Sequence, residues 1–328
     1  MKEIKHHYGV ELDWVESYAE QLEGHVEGNF IVTPDHISTG VRYFLNCDFG
    51  ISAFYKEFTA NTKLHFTQEN KLDDFVGIYY NLTEVGQTTS VFDNVYNSIG
   101  KWNYNLSFID SSLTHNYIVD KDTKVFTLCI FIKKEIIKVY LERNPTLKDH
   151  VDQIVDPKQN TILKITRMSN ESIHLLNELR SREVGGVTFD FHLRGAVQCL
   201  LAEYVQSMSF DDLVIDKVNN DDFLGIVKSQ AFLMDNLNRS FPSITTLARD
   251  VNMSGSKYKT LFKKVTGLTP NSFFLNNKLQ EAKRLLMETH LTIAQVSDEL
   301  SFTSHSYFTA KFKDFYGMSP KDFIKQIT

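Results

Sequence analysis

Lysine side chains are concentrated in the last third of the chain, where they could contact phosphate groups. Residues 221–328 hold 14 Lys and Arg against 10 Asp and Glu, whereas residues 1–220 hold 21 against 31. The net charge of −6 over 328 residues therefore conceals a basic C-terminal segment. Six lysines of that segment lie on or beside two predicted helices: Lys257, Lys259, Lys263, Lys264, Lys311 and Lys313. Their ammonium groups suit the phosphates of a nucleic acid, whereas an isolated lysine pair is more simply a solvated helix face.

The segment that carries these lysines is present twice. Residues 262–270 (FKKVTGLTP) match residues 312–320 (FKDFYGMSP) at an offset of 50. Upstream, residues 244–251 correspond to residues 293–300 at an offset of 49, so the one-residue difference falls where a turn belongs. Internal repetition of this kind predicts two copies of one small structural unit.

Each copy is predicted to form a helix, a tight turn and a second helix. In the first copy, Ser243 and Ser254 are the N-caps, and Gly267 ends the second helix in the left-handed conformation. The buried faces follow an i, i+3, i+4, i+7 spacing: Ile244, Leu247, Ala248 and Val251 in the first helix, and Tyr258, Leu261, Phe262 and Val265 in the second. This order of elements is typical of a helix-turn-helix unit.

The second copy repeats these signals. Residues 292–295 (TIAQ) form a capping box, and residues 301–303 form the turn. The second helix of this copy runs from residue 304 to 316, and Gly317 ends it. Its predicted buried residues are Phe308, Phe312 and Phe315. One longer helix, residues 271–288, is expected to set the distance between the two copies.

Residues 226–328 resemble the DNA-binding domain of AraC/XylS-family transcription regulators. The resemblance rests on segments that match the signature of that family: Phe302, residues 306–308, Phe312, Lys313 and residues 317–320, preceded by residues 261–264, Gly267, Pro270 and residues 282–286. It implies a seven-helix domain that places two recognition helices in successive major grooves, ~34 Å apart on one face of DNA. It also implies promoter DNA and RNA polymerase as partners, and activation more often than repression.

The resemblance also assigns roles to the outward residues of the two recognition helices. Base-contacting positions are Ser256, Lys259 and Thr260 in the first helix, and His305, Ser306 and Thr309 in the second. Phosphate contacts are assigned to Lys257, Lys263, Lys264, Lys311 and Lys313. Lysine can donate to guanine O6 and N7, and a threonine methyl can contact the thymine methyl.

Three residues of the second copy depart from the family pattern. The family usually has Ala where Ser297 lies, Gly where Ser301 lies, and often Arg where Ala310 lies. A non-glycine residue in the second turn is expected to carry some strain. Ala310 cannot contact a base edge through a hydrogen bond, so we expect the first copy to carry more of the sequence discrimination.

The N-terminal part is predicted to be β-rich. The predicted strands are residues 29–33, 40–46, 51–59, 63–67, 75–82, 102–109 and 124–132. Several short strands with Gly, Asn and Asp turns indicate an antiparallel sandwich or barrel. The family resemblance implies a cupin-like jelly roll, and the layout is similar, more weakly, to the subgroup of the pyochelin-receptor regulator. The expected fold class is therefore α+β with two domains.

Residues 133–220 are predicted to be helical, with apolar stripes that must bury against something. These stripes could pack on their own β-domain or form a dimer interface, and the sequence leaves both readings open. An acidic stretch, residues 211–222, reads as a linker. The predicted domains are 1–132 (sensor), 133–220 (packing or dimerisation, and linker) and 221–328 (DNA binding).

Residues that could support catalysis are few. His65 and Glu69 lack the His-x-His pair of a metal cupin, which predicts no metal and no cofactor. Cys47, Cys129 and Cys199 are isolated, with no paired spacing. A DNA-repair enzyme with a reactive cysteine, and a regulator without a ligand, are the alternatives considered. Candidate effector-pocket residues, each more simply explained as core, are Trp102, Tyr43, Phe54, Tyr79 and Phe108.

The chain shows no apolar run of the ~20 residues needed to span a membrane, and residues 1–7 (MKEIKHH) lack the features of a signal peptide. We therefore expect a cytoplasmic, non-enzymatic transcription regulator. Its N-terminal part would bind a small-molecule effector, form a homodimer, or both.

Overall fold

A computed structural model of the chain describes residues 1–83, 88–92, 95–99, 105–207 and 214–327. The chain divides into two compact units, Met1–Phe223 and Leu224–Thr328. The first is built on two β-sheets with helices, and the regular elements of the second are all helices. The predicted α+β class, with a sheet-rich N-terminal part and a helical C-terminal part, is confirmed.

The strands, in chain order, are β1 (Lys2–His6), β2 (His25–Glu27), β3 (Phe30–Val32), β4 (Ser38–Asp48), β5 (Ile51–Ala60), β6 (Leu64–Gln68), β7 (Phe75–Asn81), β8 (Thr88–Phe92), β9 (Val95–Ile99), β10 (Leu106–Asp110), β11 (His115–Val119), β12 (Lys124–Lys133) and β13 (Leu163–Thr166). The α-helices are α1 (Val15–Gln21), α2 (Lys134–Glu142), α3 (Val151–Val155), α4 (Asn170–Arg180), α5 (Gly186–Ser207), α6 (Asn220–Asp235), α7 (Ile244–Asp250), α8 (Gly255–Thr266), α9 (Pro270–Glu288), α10 (Ile293–Glu299), α11 (His305–Tyr316) and α12 (Pro320–Ile327). A short 3-10 helix, Lys148–His150, precedes α3.

The two sheets of the first unit differ in size and pairing. The larger has eight strands in the order β13-β10-β7-β12-β5-β4-β3-β2, all antiparallel. The smaller has five strands in the order β1-β6-β11-β8-β9, in which β1 pairs parallel to β6 and the other pairs are antiparallel.

The central strands β5 and β12 are buried on both faces. On one face, Phe54 and Phe58 join a core with β1, α1, β6 and Phe131. On the other face, Tyr55 and Leu128 join a second core with residues of α2, α4 and α5. The near-continuous apolar sequence of β12 predicted that both of its faces are covered, and this is confirmed.

The predicted strands correspond to β3, β4, β5, β6, β7, β10 and β12. The prediction for residues 102–109 is only partly testable, because 102–104 lie outside the described residues and β10 begins at Leu106. The sequence did not predict the strands β1, β2, β8, β9, β11 and β13 or the helix α1. Strand β1 is a strand because it pairs with β6, about sixty residues along the chain, and no local pattern encodes that pairing.

The end of the predicted linker is helical rather than extended. Helix α6 begins at Asn220, and the Asn219 Oδ1 accepts a hydrogen bond from the Asp222 backbone N–H at 2.8 Å. Asn219 thus acts as an N-cap, a role for which asparagine is well suited. Asp221 and Asp222 lie in the first turn of α6, where carboxylates interact favourably with the helix dipole.

Candidate nucleic-acid interface

The first helix-turn-helix unit consists of α7, a turn and α8, and a serine caps each helix. Ser243 Oγ accepts a hydrogen bond from the Thr246 N–H at 3.0 Å, and Ser254 Oγ accepts one from the Lys257 N–H at 3.3 Å. Each bond satisfies a backbone donor that has no acceptor within the helix. Both predicted N-caps are confirmed.

Two residues with positive φ shape the turn and the end of this unit. Asn252 has φ of 55° in the turn, and the Met253 N–H returns to the Ala248 carbonyl at 2.8 Å. Gly267 has φ of 74° and ends α8 as predicted. Glycine suits the second position because the left-handed region is unstrained without a Cβ atom.

The buried face of α8 is the predicted one. Its fully buried residues include Tyr258, Leu261, Phe262 and Val265. The Tyr258 hydroxyl lies 2.7 Å from Ser229 Oγ on α6, and burial raises the pKa of Tyr258 to about 12. The Phe262 ring packs edge-on against Phe273 with centroids 5.2 Å apart. These contacts fix the rotation of α8 about its axis.

The opposite face of α8 carries the predicted reading residues. Ser256, Lys257, Lys259 and Thr260 are all exposed, and Lys263 is half-buried. Lys264 is only 7% exposed, which leaves little of the residue available for a phosphate contact. It follows Leu261 by three residues, and residues at this spacing share one side of a helix. We therefore remove Lys264 from the phosphate-contacting set.

The second unit, α10, a turn and α11, begins with the predicted capping box. Thr292 Oγ1 accepts from the Gln295 N–H at 3.2 Å, and Gln295 Oε1 accepts from the Thr292 N–H at 2.9 Å. Ser304 Oγ accepts from the Tyr307 N–H at 3.1 Å and caps α11. Gly317 ends α11 with φ of 74°, the same value as Gly267.

Ser301 holds the left-handed position in the second turn, with φ of 47°. It corresponds to Asn252 at the 49-residue offset. Its hydroxyl donates a hydrogen bond to the Asn238 carbonyl at 2.7 Å. The expected backbone strain is therefore present, and a hydrogen bond accompanies it.

The outer face of α11 is chemically different from that of α8. His305 is exposed, and its Nε2 lies 2.8 Å from Asp298 Oδ1. Ser306 and Ala310 are exposed, and Thr309 is half-buried. Lys313 is exposed, while the half-buried Lys311 lies 3.3 Å from Asp314 Oδ2.

The prediction that Phe315 is buried was wrong, since 39% of its surface is exposed. Phe308 and Phe312 are fully buried, as predicted. Tyr316 packs on Phe312 with ring centroids 4.6 Å apart, and Phe323 approaches the same ring at 5.8 Å. Tyr316 and Phe323 therefore shield Phe312 from solvent, and Phe315 is not needed for this. Phe315 instead contacts the Tyr316 ring at the surface.

Sequence reasoning missed Lys278, a buried lysine on α9, the helix that connects the two helix-turn-helix units. Its Nζ donates to the Arg239 carbonyl at 2.7 Å and lies over the rings of Phe274 and Phe302, at 4.8 and 5.2 Å. Burial lowers the pKa of Lys278 to about 8. A lysine among apolar helix positions was the available signal.

Other kinds of chemistry find little support in the described part of the chain. No group of three or more His, Cys, Asp or Glu there could hold a metal ion. Cys47 and Cys129 are buried, and burial raises the pKa of both thiols, that of Cys47 to about 12. A raised thiol pKa opposes the thiolate that a reactive cysteine needs. Among the described helices, none is long and apolar enough to cross a membrane.

The candidate effector-pocket residues fall on different sides of the large sheet. Tyr79 lines a cavity, and Phe54 lies in the core beside it. Tyr43 and Phe108 instead face α5, where Phe108 stacks on Tyr204 with centroids 4.2 Å apart. Trp102 lies outside the described residues.

Comparison with known proteins finds similarity mainly in the C-terminal part of the chain. Residues 247–326 match the family model described as a helix-turn-helix domain. A transcriptional regulator of Chromobacterium violaceum, described as containing an AraC-type DNA-binding domain, is 22% identical; the match covers 32% of this chain and 92% of that one, with a TM-score of 0.30. Residues 247–326 thus carry a helix-turn-helix domain.

Two curated relatives extend the match. The probable transcriptional regulator LumQ of Photobacterium leiognathi is 25% identical over 161 residues, 49% of this chain and 61% of LumQ. The uncharacterised helix-turn-helix-type transcriptional regulator YobQ of Bacillus subtilis is 32% identical over 106 residues, 32% of this chain and 42% of YobQ. The matches thus span about half of each relative's length.

Proposed function

We propose that this chain is a sequence-specific transcription regulator that reads double-stranded promoter DNA with α8 and α11. The observation that carries the proposal is the repeated unit, in which each recognition helix has a serine N-cap and a left-handed glycine at its end. Buried aromatic residues fix the rotation of each helix, so its exposed face keeps one orientation. Such a rigid face is what base readout in a major groove requires.

The exposed residues divide by chemistry into two roles. The proposed base-contacting residues are Ser256, Lys259, Thr260, His305, Ser306 and Thr309. The proposed phosphate-contacting residues are Lys257, Lys263, Lys311 and Lys313. The name transcriptional regulator, which both curated relatives carry, supports the proposal.

Salt dependence of binding tests the phosphate role. We expect full-length protein to bind a labelled fragment of its own promoter region, measured by fluorescence anisotropy. With four lysine contacts, affinity should fall about a hundredfold between ~50 and ~200 mM salt, because each contact releases about one counterion. Lys263→Ala should weaken binding to all sequences and lower the log–log salt slope by about one.

Lys158→Ala is the matched control, since Lys158 is an exposed lysine in the first compact unit. It should leave both affinity and slope unchanged. Salt-independent binding by the wild type, or an equal loss in Lys158→Ala and Lys263→Ala, would contradict the assigned interface.

The proposal extends to the remainder of the chain. Residues 1–132 are proposed as an effector-sensing domain, residues 133–220 as a packing and dimerisation segment with the linker, and residues 221–328 as the DNA-binding domain. We further propose that the protein acts in the cytoplasm, contacts RNA polymerase and activates transcription. A reporter fused to the native promoter, in strains with and without the gene, tests the sign of regulation.

Self-association is proposed through α5. Most apolar residues of this helix, such as Leu193 and Val197, pack on the large sheet. Val187 and Phe191 do not, since each is 70% exposed, and at a spacing of four they share one helix face. Light scattering should give twice the chain mass, and Phe191→Glu should give a monomer. The control Phe49→Glu, at another exposed phenylalanine, should remain dimeric.

A further inference from the structure

Two positively charged side chains are buried side by side in the first unit. Arg42 on β4 is the direct cross-strand partner of Lys56 on β5, and they are 1% and 6% exposed. Lys56 shares its face of β5 with Phe54 and Phe58, which point into the core between the large sheet, β6 and α1. Directly opposed like charges destabilise a strand pair, so this pair calls for an explanation.

The described residues do not neutralise these two charges. Neither cation forms an ion pair with a carboxylate in the part of the chain that the structure describes. Arg42 donates from Nη1 to Thr33 Oγ1 at 3.2 Å and interacts with the Tyr18 hydroxyl, but its buried Nε and Nη2 have no well-aligned hydrogen-bond acceptor among the described residues. Its guanidinium carbon lies 3.8 Å from the centroid of the Phe58 ring.

The lysine is surrounded mainly by aromatic rings. Its Nζ lies 5.2 Å from the ring centroid of Phe54, 5.8 Å from that of Tyr117 and 5.9 Å from that of Tyr8. Cation–π contacts stabilise a charge less than burial destabilises it. The rings therefore offset part of the desolvation free energy of the Lys56 ammonium group, but not all of it.

The other titratable groups at this place supply no negative charge. Burial, with the Lys56 charge second, lowers the pKa of His6 well below its usual range and that of His115 to about 4, so both rings are neutral at neutral pH. Burial also raises the pKa values of Tyr8, Tyr117 and the Cys129 thiol, which interacts with Lys56, and these groups stay protonated. Among the described residues, the buried charges of Arg42 and Lys56 therefore have no negative partner.

A cavity lies beside the lysine. Its enclosed volume is about 50 Å³, and the space between its walls reaches about 650 Å³ only when the solvent at its opening is counted. Tyr18, Phe58, Phe66 and Tyr117 give much of the wall an aromatic surface. The polar lining residues are Lys56, Asn81, Asn105, Ser107, His115 and Thr127. The Phe66 and Tyr117 rings are stacked, with centroids 4.6 Å apart. A ligand here would meet one charged end and an apolar wall, the pattern of a small-molecule site.

We propose that this cavity binds an organic carboxylate, with the acid group at Lys56, supported by Arg42 across the strand pair, and the apolar body against Phe66 and Tyr117. The inference deepens the proposed effector-sensing role and rests on it. A carboxylate suits the site because it compensates the buried charge, and an apolar body suits the aromatic walls.

Matched acids and amides test the role of charge. Full-length protein is titrated by calorimetry with phenylacetate and octanoate, and with the neutral phenylacetamide and octanamide. We expect at least one acid to bind tenfold or more tightly than its amide. Lys56→Met should lose at least tenfold in affinity for that acid, and Lys56→Arg should keep most of it. Lys5→Met, at an exposed lysine of β1, is the control and should bind as the wild type does.

The stability of the unliganded variants supplies an independent check. If Lys56 is present for an anion, Lys56→Met should melt at or above the wild-type temperature, because replacing a buried unpaired charge by an apolar side chain removes its desolvation cost. A clear fall in melting temperature would assign Lys56 a structural role and overturn the proposal. Equal affinity for acid and amide, or no acid binding at millimolar concentration, would also overturn it.

DNA binding by the same variants separates this inference from the proposed function. Lys56→Met should bind promoter DNA as the wild type does when no acid is present. Lys259→Ala should bind the acid normally while losing base discrimination. Acid binding in a protein that binds no DNA would support the carboxylate site and refute the regulatory role.

Discussion

The two helix-turn-helix units share the residues that shape the backbone and differ in the residues they expose. Ser254 and Ser304 cap α8 and α11, and Gly267 and Gly317 end these helices with identical φ values of 74°. By contrast, the sequence of α8 contains four lysines and no acidic residue, whereas α11 contains two lysines and one aspartate.

The difference separates two kinds of constraint. A cap, a left-handed glycine and a buried aromatic face are required for the unit to form, so both copies keep them. The exposed residues do not determine the backbone, so each copy can change them for its own contacts. On this view the fold is duplicated, but the contribution to sequence recognition is not.

The largest expected effect concerns base recognition. Lys259→Ala should reduce discrimination at one base pair by about 1–3 kcal/mol, or about 5- to 150-fold, because a good contact to a base edge is worth that much. Thr309→Ala should have a smaller effect, since Thr309 is half-buried and its side chain is short. Binding-site selection with wild type and both variants measures the two preferences.

A larger effect of Thr309→Ala than of Lys259→Ala would contradict the proposed difference between α8 and α11. If Thr309→Ala changes the selected motif and Lys259→Ala does not, α11 is the main reading helix. Lys158→Ala again serves as the control, and its selected motif should equal that of the wild type.

The next effect concerns stability at one equivalent position. Val265 is fully buried and Phe315 is 39% exposed, although the two correspond at the 50-residue offset. Val265→Ala should cost about 2 kcal/mol, from two buried methyl groups and a residual cavity. Phe315→Ala removes more atoms but should cost less than about 0.5 kcal/mol. Urea denaturation of both variants measures this, and a larger loss for Phe315→Ala would show that its ring packs in the core.

These residues also show what the sequence could and could not predict. Caps, the capping box and the terminal glycines were predicted because each depends on a few neighbouring residues. The burial of Lys264 and the exposure of Phe315 were not predicted, because each depends on which surrounding residues cover a helix face. Phe315 is the clearest case, since Tyr316 covers Phe312 instead.

In the N-terminal compact unit, Met1–Phe223, local sequence likewise predicted individual strands but not which strands pair with each other. Alternation and apolar runs predicted β5 and β12, but the parallel partner of β6 could not be inferred from β1 alone. The buried Arg42 and Lys56 were missed for a related reason. Within its own strand, each of these charged residues is expected to face solvent. Only the pairing of β4 with β5 shows that the two charges lie opposite each other.

A third prediction concerns pH and Lys278, which lies between the units. Burial lowers its pKa from 10.5 to about 8, so the native state disfavours its charged form. The destabilisation is full below pH ~8 and is relieved as pH rises, because the unfolded chain then binds more protons. Between about pH 7 and about pH 9, the free energy of unfolding of the wild type should rise by about 1 kcal/mol relative to Lys278→Met.

Chemical denaturation at several pH values measures this difference. Lys228→Met, at an exposed lysine of α6, is the control and should run parallel to the wild type. A wild-type curve that also runs parallel to Lys278→Met would mean that Lys278 is solvated in solution.

The smallest expected effect concerns the two turns, where Asn252 and Ser301 both have positive φ. Replacing Ser301 by glycine relieves backbone strain but removes the hydroxyl bond to the Asn238 carbonyl, so the net change should be near zero. Ser301→Ala keeps the strain and loses the bond, and should cost about 1 kcal/mol. Asn252→Gly should stabilise by less than about 1 kcal/mol, since asparagine already tolerates this conformation.

The hydrogen bond from Ser301 to the Asn238 carbonyl joins the two helix-turn-helix units. Asn238 lies just before α7, the first helix of the first unit, whereas Ser301 lies in the turn of the second. Lys278 reaches the carbonyl of the next residue, Arg239, from α9. Two side chains thus hold the segment between α6 and α7, and the second turn is joined to the first unit through it. Ser301→Ala combined with Lys278→Met should then show a coupling free energy of about 0.5 kcal/mol or more in a double-mutant cycle. Strict additivity of the two changes in unfolding free energy would mean that each bond holds its own residue only, and that the two units are joined by α9 alone.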